Sequence, residues 1–365
     1  MRFTHISGKR KIFTRLRRSG RVSRAELARE CSLTRPAVSS IVDELIAAGY
    51  VREIGVGRST GGKPPILLEF IPSARCAVGI NLGGDDCIEG VLCDLSCGVL
   101  CSESVTYTNS FESIYSGLKK IIRMLEARMQ NGFLAGIGIA VSGVVDKKGQ
   151  IVVSPLDIGG KMLGQMLTDE FGVPVVLERR PNAAALAEAL FGAGTESKRL
   201  LYLTSGVGVG AGLVINGEIF TGSHGCAGEV GSLKVSGDQA LEEVARPSAM
   251  IKKYAEITGE KVDFDRFVEL YLSGEKCAEE LVMENAALLA YAASSAANVF
   301  DPDTVILGGD VLEFGEKYFE EFKNKFLAGS VAFELGELPA VLRSTFGRRG
   351  VAVGGAQIIL DSLVE

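Results

Sequence analysis

A chain of 365 residues, 47% hydrophobic and 23% charged, is too long for one ordinary core and points to two or three domains. Its net charge of −6 hides a division: residues 1–70 hold 14 Lys+Arg against 6 Asp+Glu, a balance of +8, while the rest hold 25 against 39, a balance of −14. Eight cysteines without a C-x-x-C pair, beside only His5 and His224, exclude a disulfide framework and argue for reduced thiols.

The basic segment comes first. Residues 9–18 place Ile12, Phe13 and Leu16 at helical spacing among Lys11, Arg15, Arg17 and Arg18, which predicts a helix with one buried stripe, stopped at Gly20. With no apolar core, this stretch is not a signal peptide. Ser23 then caps a short helix over Ala25, Leu27 and Ala28, with Glu26 completing a capping box. After the turn Cys31-Ser32-Leu33, Thr34 caps a longer helix with Val38, Ile41, Val42, Leu45 and Ile46 inward; Pro36 sits in its first turn, where its missing amide costs nothing, and Gly49 ends it. Helix, short turn and capped helix form the geometry that lays a second helix in the major groove of double-stranded DNA, with Thr34, Arg35, Pro36, Ser39 and Ser40 facing the bases. Strands over 50–54 and 66–70 flank a glycine-rich loop, predicting a β-wing whose tip carries Arg58 and Lys63 towards phosphates or a minor groove.

From residue 76 the pattern alternates with period two. Strands are expected over 76–82, 88–94 and 99–106, then an amphipathic helix over 114–129 and βα units over 135–141 and 173–190. A second set begins at 200–203, continues through a glycine turn over 206–212 and a strand over 213–215, and ends a later strand on Gly308-Gly309. Residues 286–300 are too short and too interrupted for a membrane span and are expected to form a buried helix, so a cytoplasmic location is the expectation. Glycine turns at strand ends let backbone amides approach phosphate oxygens without an intervening Cβ.

Three such turns in order, Asn81-Leu82-Gly83-Gly84-Asp85, Gly206-Val207-Gly208 and Gly308-Gly309, resemble the ROK family (repressors, open reading frames and sugar kinases) of the actin-like ATPase superfold. With the basic head, the resemblance covers essentially the whole chain and is to the family's xylose and N-acetylglucosamine repressors. The fold class it implies is α/β: a winged helix-turn-helix at 1–70, then a two-lobed actin-like ATPase (ribonuclease H-like) sugar-kinase fold. The first lobe is expected over 71–185 completed by 345–365, and the second over 186–344.

Against the family's kinases the chemistry departs residue by residue. Their first phosphate loop reads Asp-x-Gly-Gly-Thr, the Asp organising Mg²⁺; here Asn81 stands for that Asp and Asp85 for the Thr. Their second loop has Gly-Thr-Gly, where Val207 now removes the hydroxyl. Their catalytic Glu-Asn-Asp-Ala-Asn-Ala becomes Glu178-Arg179-Arg180-Pro181-Asn182-Ala183, and a guanidinium cannot accept the sugar's proton. No catalytic residue and no cofactor are therefore expected. The family's structural zinc is not expected either, because Ser232 replaces a ligand His, residues 236–241 hold no cysteine, and zinc needs about four N or S ligands.

The resemblance carries the sugar-contacting acids over to Glu229 and Glu242, and the sugar-lining turn to Ser142-Gly143. Arg179 and Arg180 at the same mouth leave two alternatives: an anionic sugar or sugar phosphate as effector, or arginines that pair with Glu229 or Glu242 and close the site. The function implied is a sugar-responsive regulator, a repressor in the family's manner, binding a palindromic operator as a homodimer or higher homo-oligomer. Alternatives are an active glucokinase or N-acetylglucosamine kinase with a DNA-binding appendage, and a DNA-binding protein without effector.

Overall fold

The computed structural model describes residues 7–57, 64–83, 86–130, 132–146, 148–158 and 160–364. The head is α1 (Gly8–Ser19), β1 (Arg21–Ser23), α2 (Arg24–Glu30), α3 (Arg35–Ala47), β2 (Val51–Val56) and β3 (Ile66–Phe70). Its helices lie where the caps and apolar spacing put them. Strand β1 was not expected, since three residues carry no period. It forms because Val22 pairs opposite Leu68, and both side chains are buried. Phe13, fully buried, meets Tyr50 and Phe70 edge-on at 6.2 and 5.4 Å between ring centroids. Truncating such a ring costs about 3–5 kcal/mol.

The body opens with β4 (Arg75–Leu82), β5 (Cys87–Asp94), β6 (Val99–Thr106), α4 (Phe111–Glu126), β7 (Phe133–Val141), the hairpin β8 (Val144–Val145) and β9 (Ile151–Val153), α5 (Leu163–Phe171), β10 (Val175–Arg179) and α6 (Arg180–Phe191). It continues through β11 (Arg199–Ser205), β12 (Val209–Ile215), β13 (Glu218–Ile219), β14 (Lys234–Ser236), β15 (Gln239–Ala240), α7 (Leu241–Ala245), α8 (Pro247–Thr258), α9 (Phe264–Leu272) and α10 (Lys276–Phe300). The last elements are β16 (Thr304–Gly308), α11 (Gly315–Gly329), α12 (Val331–Leu335), β17 (Ala340–Arg343) and α13 (Arg349–Ser362). Two five-stranded sheets repeat one scheme, β6-β5-β4-β7-β10 and β13-β12-β11-β16-β17, each with three antiparallel strands followed by parallel ones.

Helices α6 and α13 pack against each other and against the sheets, and their approach is set by glycine. A Cβ at Gly79 would strike the Ala352 carbonyl, one at Gly138 the Gly355 carbonyl, and one at Gly354 the Ala183 carbonyl. The same packing corrects the expected turn over 206–212. Strand β12 already starts at Val209, and Gly210 and Gly212 lie within it because Pro181 of α6 rests on their bare Cα atoms.

Helix α10 buries Ala286, Leu289, Ala290, Ala293 and Ala297 as expected, while Tyr291 and Val299 point outward, 62% and 89% exposed. No described helix is long and apolar enough to cross a membrane. All eight cysteines are free thiols.

Candidate DNA-binding face and effector cleft

In the head, Ser23 and Glu26 exchange bonds at the start of α2: the Ser23 hydroxyl accepts from the Glu26 amide at 3.3 Å, and the Glu26 carboxylate accepts from the Ser23 amide at 2.8 Å. These bonds from Ser23 hold the Glu26 carboxyl below its ordinary range. The Thr34 hydroxyl accepts from the Ala37 amide at 3.4 Å and starts α3. Thr34, Arg35, Pro36 and Ser40 are exposed on one end of that helix, with Ser39 half-buried. Arg24 fixes the angle between α2, α3 and the wing, donating to the Ser39 carbonyl at 3.2 Å, Asp43 at 2.8 Å and Glu53 at 3.0 Å. Arg58 and Lys63 lie outside the described residues.

Arginines of α1 turn inward to the body. Arg10 donates to Glu218 at 3.0 Å, to the Gly217 carbonyl at 3.0 Å and to Asp361 at 2.9 Å. Arg17 donates to Gln357 at 3.1 Å and lies over the Phe191 ring, 4.6 Å from its centroid. Arg75, at the junction of head and body, sits over both Tyr50 and Phe133, 5.4 and 5.3 Å from the ring centroids. Head residues such as Leu16 and Leu68 belong to one continuous apolar cluster with Ala77, Val91 and Ala352 of the body. α1 is thereby clamped to the β12–β13 turn, to the end of α6 and to α13.

At the other end of α6 the two neighbouring arginines take different directions. Arg180 donates through Nε to Asn81 Oδ1 at 2.9 Å, and through Nη1 to the Gly83 carbonyl at 2.9 Å and the Ser142 hydroxyl at 3.4 Å. Asn81 in turn donates to Glu89 at 2.9 Å. The guanidinium thus lies in the first glycine loop, whose Gly83 has φ 120° and no room for a Cβ beside Ser142. Arg179, 2% exposed, crosses to the segment around residue 228 instead, pairing with Glu229 and donating to the Ala227 carbonyl. The Arg179–Glu229 pair is the pairing that one of the two alternatives left by the sequence contains, with the Glu229 side chain still 35% exposed.

Glu242 serves the second loop from within: its carboxylate accepts from the Val209 amide at 3.0 Å and lies against Gly208. Gly206 is faced by Asp310, whose carboxylate also accepts from Arg348 Nε at 2.7 Å. Asn81, Cys87, Glu89, Arg180, Val207, Asp310 and Arg348 line a cavity of about 100 Å³ between the glycine loops. Gly143, at φ 116°, lets the Val153 carbonyl approach its Cα. Gly84 and Asp85 lie outside the described residues.

A nucleotide carrying Mg²⁺ does not fit this donor set. Arg180 stands 2.9 Å from the amide that replaces the metal-organising carboxylate, and a divalent cation there would face a guanidinium. Zinc does not fit either: among the described residues no three His, Cys, Asp or Glu side chains converge as metal ligands, and exposed His224 and Cys226 meet only through a thiol-to-carbonyl contact.

Sequence reasoning missed Asp310, Arg348 and Glu188. Glu188, fully buried, accepts from the Ala193 amide at 2.9 Å, the Ser344 hydroxyl at 2.7 Å, and the Thr345 and Phe346 amides at 2.8 and 3.1 Å, pinning α6 to the segment before α13. Beside it, burial pushes the Tyr202 phenol up to about 12. A carboxylate in a run of alanines, Ala187-Glu188-Ala189, is the only local signal of that role.

Comparison with known proteins agrees with this geometry. Residues 77–361 match the ROK family and residues 12–59 the MarR family. The chain is 30% identical to the xylose repressor of Caldicellulosiruptor bescii over 94% of its own length and 93% of that protein. Among solved structures, a ROK family transcriptional regulator, described as a homologue of the Escherichia coli MLC protein, superposes with a TM-score of 0.80 at 21% identity, covering 98% of each chain. A ROK family glucokinase from Streptomyces griseus, solved with glucose and AMPPNP, superposes with a TM-score of 0.71 at 23% identity, covering 78% of this chain and 98% of its own. With the family match over 77–361 and a 30% identical relative along 94% of the chain, the chain belongs to the ROK family.

Proposed function

We propose that the protein is a sugar-responsive, DNA-binding transcriptional regulator, acting as a repressor, whose kinase-like body has lost catalysis and serves as effector sensor. The observation that carries this reading is the Arg180 guanidinium bonded to Asn81 and Gly83 in the first glycine loop, where a phosphoryl-transfer site needs a metal and a base. Glu242 and Asp310 against the second loop support it. Residues 1–70 form the DNA-binding domain, using Thr34, Arg35, Pro36, Ser39, Ser40, Arg58 and Lys63. Residues 71–185 with 345–365, and 186–344, form two lobes, and the sugar enters between them at Ser142, Gly143, Arg179, Arg180, Glu229 and Glu242.

A homodimer would set two α3 helices on a palindromic operator in the cytoplasm, with half-sites about 34 Å apart or a multiple of it. Because one relative is a xylose repressor, xylose belongs at the head of any effector panel. The test is fluorescence anisotropy of the full chain on DNA upstream of its own and adjacent genes, with and without sugars. Site-specific binding that a sugar changes about 5–150-fold is expected. Salt-sensitive binding without sequence preference would overturn the reading.

A further inference from the structure

We propose that Arg24 is the positioning residue of the DNA-reading helix: without touching DNA, it sets how α3 and the wing stand to each other, and so how well the head tells one sequence from another. The inference rests on the reading of the head as the DNA-binding domain and adds a residue that lies outside the set facing the bases.

Arg24 is the first residue of α2, directly after the cap Ser23, and its side chain is 27% exposed. From there its guanidinium spans three elements. Nη1 donates to the Ser39 carbonyl at 3.2 Å and to Asp43 Oδ1 at 2.8 Å, acceptors one turn apart on α3. Nη2 donates to Glu53 Oε1 at 3.0 Å, in the middle of β2. A guanidinium is planar and its N–H groups diverge at fixed angles, so a side chain that holds α3 with one nitrogen and β2 with the other allows little rotation between them. The buried Val38, Val42 and Leu45 beneath attach α3 to the head, but apolar contact carries no direction.

The charges at this site have the wrong sign for a phosphate contact. Arg24 stands between Asp43 and Glu53, 67% and 43% exposed, so the three side chains together carry one negative charge. Two carboxylates beside a polyanion repel it, and their use here is as acceptors that orient Arg24. What α3 presents depends on that tie. Ser39 lies one turn beyond Arg35, and Thr34, Arg35, Pro36 and Ser40 are exposed at the same end of the helix. Hydrogen bonds to base edges weaken steeply with misalignment, whereas attraction to phosphates changes slowly with distance. A small swing of α3 therefore costs sequence reading and leaves general DNA binding nearly whole.

The test is fluorescence anisotropy of the full chain on the duplex it prefers upstream of its own and adjacent genes and on a scrambled duplex, at several salt concentrations. Arg24→Gln should lower the ratio of the two affinities about 10- to 100-fold, the size of a lost base contact, with the salt slope unchanged. A phosphate contact would instead lower the slope by about one. A merely structural loss, fewer folded heads, would weaken both duplexes by one factor and keep the ratio. Asp43→Ala and Glu53→Ala separate geometry from charge, and they decide the matter if Arg24→Gln does not fold. Each removes a negative charge, which by itself tightens binding to both duplexes alike. Loss of positioning lowers the ratio in each.

A ratio unchanged in Asp43→Ala and Glu53→Ala overturns the inference, and so does a salt slope lowered by one in Arg24→Gln. The DNA-binding reading stands in either case, because the unaltered chain still prefers its own duplex. An unaltered chain with no preference for any duplex overturns both.

Discussion

Arg17 lays its guanidinium on the ring of Phe191, so the first helix of the head rests on the last turn of the helix that begins at Arg180. One rigid element of 12 residues, about 18 Å long by its helical rise, therefore has the candidate effector cleft at one end and the head at the other. α6 thus offers a contact route from Arg180 to α1 that bypasses the junction at residues 71–75.

Replacing Arg17 by alanine removes a charged hydrogen bond to Gln357 and the contact with Phe191. The expected loss is about 1–3 kcal/mol of stability, seen in denaturant unfolding. Operator binding without sugar should survive, and the sugar response should fall, because head and α6 no longer move together. Anisotropy with and without sugar checks this; an undiminished response in Arg17→Ala would mean that the signal runs elsewhere.

Purified protein should transfer no phosphate from ATP to any hexose or pentose. Loss of a general base alone typically costs about 10²–10⁴ in rate, and here the glycine loops are engaged by Arg180, Glu242 and Asp310 as well. Arg180→Asp should remain inactive, since Asn81 and Val207 are unchanged. Stoichiometric sugar phosphate from either protein would show that the body is an enzyme.

Arg35→Ala should weaken specific operator binding by about 1–3 kcal/mol if the side chain reads a guanine edge, while Lys63→Ala should weaken all sequences alike and lower the salt slope by about one. Titrations on operator and scrambled DNA at several salt concentrations separate the roles. Equal losses for Arg35→Ala on both DNAs would make Arg35 a phosphate contact.

Glu229→Ala leaves the buried Arg179 without its counter-charge. Since the Glu229 side chain is 35% exposed, the cost should be about 1–3 kcal/mol, below the 3–5 of a fully buried pair. Both Glu229→Ala and Glu242→Ala should abolish the sugar response and leave sugar-free operator binding nearly intact, measured on the same DNA.

Acid should reveal the capping box. The Ser23 bonds hold the Glu26 carboxyl below its unfolded value, so the stability it contributes is present above the ordinary carboxylate range and is lost as pH falls through the depressed folded value. The melting temperature of wild type should exceed that of Glu26→Gln near neutral pH, and the gap should narrow as the solution is acidified towards pH 3.5. A gap independent of pH would assign the effect to helix propensity.

The head was legible because its signals are local. Ser23, Glu26, Thr34 and Pro36 act within a turn of where they stand, and β1 escaped because its formation depends on Leu68. The glycine turn at 206–208 was legible, but Gly210 and Gly212 were not legible as strand, because what makes them so is Pro181 of α6. What faces each loop was not legible either. Asn81 and Arg180 are 99 residues apart, Val209 and Glu242 33 apart, and nothing in either neighbourhood announces its partner. Arg10 and Arg17 show the same limit from the other side: as sequence they are two more charges on a basic helix, and only the packed body turns them into clamps.

That clamp also has a timetable. Arg17 waits for Gln357, 340 residues later in the chain, and Arg10 for Asp361, 351 residues later. At about 5–20 residues per second of synthesis, the delay is roughly 20–70 s. During that interval the winged helix has all of its own residues, but its first helix has no seat on α13. A nascent chain therefore carries the whole DNA-reading head before it carries the helix on which that head is seated.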